Sequence, residues 1–250
     1  MWSPESKKIA FENPLSHEVD IINDDGSSQI KIDNAMLPSW SPDGIRIAFV
    51  SSSINEPEIY VVSANGGDKI RLAAGSSPSW SPDGTKIAFS SQRVGADKMG
   101  ITEIYIIHAD GNTEPRLIYS KRYLDPWSIN ISWSPDSSKI MFSYVEYSED
   151  PSGFGIVDID ADNQTLIASG GSPAWSPDGT KIALEDQGII YVTNADGSNK
   201  TRLVNGQKPI WSPDGKQIAY ELQDEIYTIH SDGSNQRELA TGQAPAWSPR

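Results

Sequence analysis

The chain has no cysteine among its 250 residues, which excludes disulfides, thiol nucleophiles and cysteine-ligated metals. Histidine is nearly as scarce, with only His17, His108 and His230. Positive charge is short too: 20 Lys and Arg face 34 Asp and Glu, for a formal net charge of −14. Clustered cations are what hold phosphate backbones and anionic headgroups, so neither nucleic acid nor an anionic membrane surface is expected as a partner. No apolar run approaches the ~18 residues of a membrane helix, so no membrane insertion is expected. The opening Met1-Trp2-Ser3-Pro4-Glu5 has no basic or apolar leader region, and no signal peptide is expected in this chain. A Gly-x-Ser-x-Gly elbow, a glycine-rich phosphate loop and a His-Glu-x-x-His helix are all missing. These absences argue for a protein that is not an enzyme.

What is abundant is a repeat. Trp-Ser-Pro, usually followed by Asp and a short apolar run, starts at Trp2, Trp40, Trp80, Trp133, Trp175, Trp211 and Trp247. The fullest copies run from Pro78 to Phe89 and from Pro173 to Leu184. A period of about 40 residues with strand-like content is that of a β-propeller, one blade per repeat. The 20 Gly and 17 Pro fall at repeat-phased turns, so residues 1–250 read as a single globular domain.

One repeat shows the plan. Ser79-Trp80 ends a strand and Ser81-Pro82-Asp83-Gly84 turns the chain, Pro presetting φ and Gly accepting a left-handed conformation. Lys86–Ser90 alternates polar and apolar. Glu103–Ile107 is a β-branched and aromatic strand, Ala109–Asn112 turns again, and Pro115–Ile118 is an outer strand. Glu58–Val62, Ile189–Val192 and Glu225–Ile229 repeat the third strand. This predicts an all-β fold of six four-stranded antiparallel blades, with no helix. Each Trp should pack between neighbouring blades. Ser6 and Ser137 replace the turn Gly; a left-handed Ser costs about 1 kcal/mol relative to Gly, and at Ser6 a relaxed turn is expected instead.

The sequence resembles the TolB-type six-bladed propellers, whose repeat has the form Pro-x-Trp-Ser-Pro-Asp-Gly-x-x-Ile-Ala-Phe with a later Ile-Tyr-Val-x-x-Asp-Gly. The motif is architectural and transfers no catalytic residue. The resemblance implies a periplasmic or extracellular bacterial protein of one of three kinds: a protein-interaction component, a peptidase gating domain or a polysaccharide-lyase scaffold. The extra N-terminal domain of TolB itself has no counterpart here. The C-terminal Gly242-Gln243-Ala244-Pro245-Ala246 is expected to supply the innermost strand of the blade containing residues 7–33. Pairing of N- and C-terminal strands would then close the ring and remove its open edge, leaving a monomer. Trp2 and Trp247 compete for one place in that blade, and it is assigned to Trp247.

Two acidic series run through the repeats: Asp43, Asp83, Asp136, Asp178 and Asp214 with Glu5, and Asp25, Asp110, Asp162, Asp196 and Asp232. An acidic rim can attract Ca²⁺, there or in the channel. Turn capping alone accounts for one Asp per repeat and is preferred, so no cofactor and no metal site is assigned. His108 and His230 share a position that carries Asn23, Ser63, Asp160 and Asn194 elsewhere, which reads as turn chemistry.

Function is sought where the repeat departs from itself. Three connections are long: Gln92 to Thr102, Tyr119 to Asn130 and Tyr144 to Phe154. All three emerge opposite the Asp-rich turns. They carry Arg93, Tyr119, Arg122, Tyr123, Trp127, Tyr144 and Tyr147, and these seven are the candidate ligand-binding residues, with Lys98 and Lys121 beside them. Aromatic residues and Arg are enriched at binding hot spots; folding back over their own loops is the competing role. The expected function is non-catalytic binding of a protein or peptide. The alternative is a carbohydrate-binding or polysaccharide-lyase-like propeller, with Tyr and Trp stacked on sugars.

Overall fold

A computed structural model describes residues 1–13, 15–51, 57–94, 100–123, 129–144, 153–160, 164–167 and 171–247. Every regular element among them is a strand. The chain divides into two compact units, Met1–Trp133 and Ser134–Arg250.

The first unit opens with a three-stranded antiparallel sheet of β1 (Lys8–Asn13), β2 (Glu18–Asn23) and β3 (Ile30–Asp33). A four-stranded meander follows: β4 (Ala35–Trp40), β5 (Arg46–Ser51), β6 (Glu58–Ser63) and β7 (Ile70–Ala74). The third sheet is β8 (Ser76–Trp80), β9 (Lys86–Val94), β10 (Gly100–His108) and β11 (Arg116–Tyr123). Strand β12 (Asn130–Trp133) ends the unit. The second unit holds β13 (Lys139–Tyr144), β14 (Gly153–Asp158) and β15 (Gln164–Ile167). Two four-stranded meanders complete it: β16 (Gly171–Trp175) to β19 (Thr201–Asn205), through β17 (Lys181–Asp186) and β18 (Ile189–Asn194), and then β20 (Gln207–Trp211), β21 (Gln217–Leu222), β22 (Glu225–His230) and β23 (Arg237–Thr241).

The repeated Ile-Ala-Phe triplet explains how sheets stack. Side chains alternate along a strand, so Ile47 and Phe49 of β5 enter the core shared with Ala10, Val19 and Ile21 of the first sheet. Ala48, on the other face, meets Trp80, Ile87 and Phe89 of the third sheet. A small residue there lets a tryptophan approach. In the second unit Ala183 does the same against Trp211, Ile218 and Tyr220. Within single sheets, cross-strand aromatic pairs add to these cores: Phe49 on Tyr60 and Phe89 on Tyr105, with ring centroids 5.7 and 5.5 Å apart.

Several expectations need correction. Ser6 is left-handed, with φ 57°, as is Ser137 at 61°; no relaxed turn forms, because Ser6 N–H donates to Ser3 O at 2.8 Å. The place assigned to Trp247 is taken in the first unit by Trp2, which bridges Ile9. Met1 O beside it accepts from Trp40 Nε1, as Ile210 O, one residue before Trp211, accepts from Trp247 Nε1. Trp2 is half exposed there, unlike the buried Trp40, Trp80, Trp133 and Trp211. The residue equivalent to His108 is Asp158, not Asp160: Lys86 pairs with His108 and Lys139 with Asp158. Asp160 therefore takes the turn position assigned to Asp162, which lies outside the described residues. Two of the long connections also shorten. Residues 92–94 and 100–102 belong to β9 and β10, and 119–123 to β11.

Candidate functional site

Each sheet has a turn end and an opposite end, and the aspartates are consumed at the first. In the Trp-Ser-Pro-Asp turn the buried Ser41 Oγ donates to Asp43 Oδ1 and accepts from Arg46 N–H. Asp43 Oδ1 also accepts from Ile45 N–H at 3.0 Å. Ser81–Asp83, Ser134–Asp136, Ser176–Asp178 and Ser212–Asp214 repeat the arrangement. The Ser hydroxyl and the following backbone N–H hold the carboxyls of Asp43, Asp136 and Asp178 below the usual carboxylate range. At Asp83 burial pushes upward, but hydrogen bonds from Ser81 and Thr85 outweigh it. Asp25, Asp110, Asp196 and Asp232 cap the second turns through the N–H two residues on. Among the described residues no group of three or more His, Asp or Glu stands where it could hold a metal ion. His230 is likewise engaged in its turn, its ring nitrogens 3.3 Å from Ser234 Oγ and Asn235 Nδ2.

The opposite end of the third sheet differs from the rest. Strands β9 and β10 run for nine residues and β11 for eight, whereas the other strands have four to six. Among the described residues these are thus the longest strands, and together they lengthen this end of their own sheet into a projection. In this projection Arg93, Ile101 and Arg122 form one cross-strand row, and Gln92, Thr102 and Lys121 the next. The Arg93 guanidinium forks onto Glu103, with Nε–Oε2 and NH2–Oε1 distances of 3.1 and 2.8 Å. Glu103 is only 4% exposed. The Arg93 bond, helped by Tyr105 and Ser120 against the opposing pull of burial, keeps its carboxyl below the usual range. Thr102 is fully buried and its Oγ1 has no hydrogen-bond partner.

The candidate residues fall into four groups. Arg93 and Arg122 sit side by side on the projection, separated by Ile101, and Arg122 is exposed. Tyr119 is 2% exposed; it faces the core opposite Ile104 and offers no surface to a ligand. Tyr123 ends β11 opposite Gly100, and Tyr144 ends β13 opposite Gly153. Trp127, Tyr147 and Lys98 lie outside the described residues.

Sequence reading passes over a cavity at this same end. It has a volume of about 450 Å³ and is lined by Leu37, Ser76, Ser77, Ser90, Ser91 and Gln92, among others. Leu37 and Ser77 belong to a bulge that recurs before five of the repeat tryptophans, where the residue preceding proline is left-handed: Leu37, Ser77, Ser172, Lys208 and Ala244 have φ of 47–53°. The register slips between Met36 and Ser39 and between Ser76 and Ser79. The recurring x-Pro pair two residues before Trp was the available signal.

The family model of the TolB beta propeller domain matches residues 1–130 and again 103–250. No curated protein matches the chain by sequence. Among solved structures, TolB from Acinetobacter baumannii is similar over 95% of this chain, at 21% identity and a TM-score of 0.55; the chain spans 64% of that protein's length. A putative TolB from Agrobacterium tumefaciens is similar over 93% of this chain and 94% of its own, at 22% identity and a TM-score of 0.57. An oligogalacturonate lyase in complex with manganese is similar over 96% and 75%, at 13% identity and a TM-score of 0.72. At these identities the likeness establishes the fold.

Proposed function

The chain belongs to the TolB beta propeller domain family, and from that membership we propose a non-catalytic binding propeller that engages a protein or peptide through the projection of its third sheet. Residues 1–250 form one six-bladed domain in this reading, monomeric and periplasmic or extracellular. The observation that carries the proposal is the greater length of β9, β10 and β11 among the strands of the described residues. It sets Arg93 and Arg122 in one row at the end opposite the Asp turns. An exposed Arg pair on a rigid sheet is suited to docking a partner side chain, because little entropy is lost on contact. Tyr123 and Trp127 would add aromatic anchors.

Carbohydrate binding, with or without lyase-type activity, is the second reading. It is favoured by the likeness to oligogalacturonate lyase and by the same aromatic residues. One experiment separates the two. Peptides selected by display on the immobilised protein, and a panel of neutral and acidic glycans, are titrated into ¹⁵N-labelled protein. Peptide binding should shift the amides of 91–94, 100–103 and 120–123. Saturable shifts with glycans alone would overturn the first reading in favour of the second, and shifts confined to the Asp-turn end would overturn both.

A further inference from the structure

In two repeats the left-handed bulge residue is met by a carboxylate from the preceding sheet. Leu37 N–H donates to Glu12 Oε1 in the first unit. Ala244 N–H donates to Glu221 Oε1 in the second. Glu12 and Glu221 are equivalent: each follows the Ile-Ala-aromatic triplet of its strand, at Ile9-Ala10-Phe11 and Ile218-Ala219-Tyr220. The bulge amide of this fold is thus a donor that a carboxylate fits, supplied twice from within the chain.

The other bulges differ: the place of Glu12 is taken by Ser143 ahead of Ser172, and by Glu185, which accepts from Gly188 N–H, ahead of Lys208. At the third sheet no carboxylate takes that place. Ser77 has the same left-handed backbone, with φ 53°, but the residue that follows Ile47-Ala48-Phe49 on the preceding sheet is Val50. Val50 has no side-chain oxygen to offer, and Ser77 instead lines the cavity of about 450 Å³. Ser76, Ser90, Ser91 and Gln92 bring hydroxyl and amide groups to the cavity, Leu37, Pro57, Ala74 and Ile129 give it an apolar side, and no carboxylate is among the described residues that line it. Hydrogen bonds between an anionic oxygen and backbone N–H or hydroxyl donors are about twice as strong as neutral ones.

We propose that this cavity binds a carboxylate of a ligand, received by the Ser77 amide and the surrounding serine hydroxyls in the place that Glu12 and Glu221 fill at their own bulges. The cavity lies at the same end of the third sheet as the projection, since Ser91 and Gln92 run directly into Arg93. The inference therefore deepens the binding reading above, and rests on it for the ligand being a peptide. The carboxylate is either the peptide's C-terminus or an acidic side chain.

The test is a titration of ¹⁵N-labelled protein with N-acetyl-glycyl-glycine, N-acetyl-glutamate amide and the neutral amide of each. The Ser77 amide proton should move downfield and saturate with at least one of the two acids, and about tenfold less tightly or not at all with its neutral amide. Which acid acts tells terminus from side chain. An equal response to acid and amide, or no response to any probe, overturns the proposal. Val50→Glu supplies the missing carboxylate from within: its Ser77 amide should already be displaced, and its response to the probes lost. A folded Val50→Glu protein that still responds like wild type also overturns the proposal; if the variant does not fold, the wild-type titration decides. Should displayed peptides bind the projection while Ser77 stays silent to both acids, the carboxylate site alone fails. Should Ser77 respond while no peptide touches the projection, the site stands and the wider reading fails.

Discussion

The indole N–H of Trp133 donates to the backbone carbonyl of Ser79 at 2.9 Å, tying β12 to the strand that ends at Trp80. Trp211 does the same to Ala174 O at 3.1 Å. Trp133 and Trp211 therefore do two jobs, filling the space between sheets and bonding the residue that precedes the previous repeat's tryptophan, whereas the indole N–H groups of Trp80 and Trp175 have no partner among the described residues. Trp133→Phe keeps most of the buried ring and loses the bond, at a cost of about 1 kcal/mol. Trp133→Ala should cost about 3–5 kcal/mol. Urea unfolding measures both; equal losses would mean that the bond, not the ring, is what matters.

Acid should unfold the protein for a specific reason. The turn carboxyls of Asp43, Asp136 and Asp178 are held below the carboxylate range by Ser hydroxyls and backbone N–H groups. A carboxyl whose folded pKa is depressed adds stability that is fully present above its unfolded value and lost as pH falls through the folded one. Stability should be level above about pH 5 and fall progressively below about pH 4. Asp178→Asn should flatten part of that fall, which urea midpoints taken across this range would show.

Gly155 stands where Tyr60 and Tyr105 stand in other sheets, as the pairing of Phe142 with Gly155 shows beside those of Phe49 with Tyr60 and Phe89 with Tyr105. The Phe142 ring fills the vacated space, and a Cβ at Gly155 would collide with it. Gly155→Ala should therefore destabilise by about 1–3 kcal/mol, the usual cost of overpacking a core. Adding Phe142→Leu should recover part of the loss; thermal unfolding of the single and double variants tests this coupling.

Arg93 carries structure as well as surface. Removing it strips the nearly buried Glu103 of its forked partner and leaves Tyr105 Oη, 3.1 Å away, among its remaining donors. Arg93→Ala should lower the urea midpoint and raise the Glu103 pKa, so that the lost stability is partly regained at low pH. A wild-type midpoint for Arg93→Ala would remove the structural role given to Arg93.

The turns were legible because their chemistry is local: Ser, Pro, Asp and Gly each act within a few residues of themselves, so Asp43 and Asp83 cap where spacing places them. Strand alternation located the cores for the same reason. The projection was not legible as strand. Gln92, Arg93 and Val94 lack a β-branched run, and only pairing with Gly100–Thr102, itself paired with Lys121–Tyr123, makes them one. Tyr119 looked like a surface aromatic, yet its register opposite Ile104 turns it inward. Gly155 broke the Ile-Tyr-Val pattern and displaced the alignment of Asp158 and Asp160. The bulge amides escaped notice because their partners, Glu12 and Glu221, come from the neighbouring repeat more than twenty residues away.

Because the chain has no cysteine, a single introduced thiol can be labelled alone. Arg122→Cys places a polyethylene glycol label on the projection, and Asn112→Cys places it on an exposed turn at the other end of the same sheet. Binding of the display-selected peptides to both labelled proteins is the most direct test of where the partner docks. Loss of binding with the label at 122 and retention with it at 112 is the expected result. Binding that survives the label at 122 and disappears with it at 112 would contradict the assignment of the projection as the binding face.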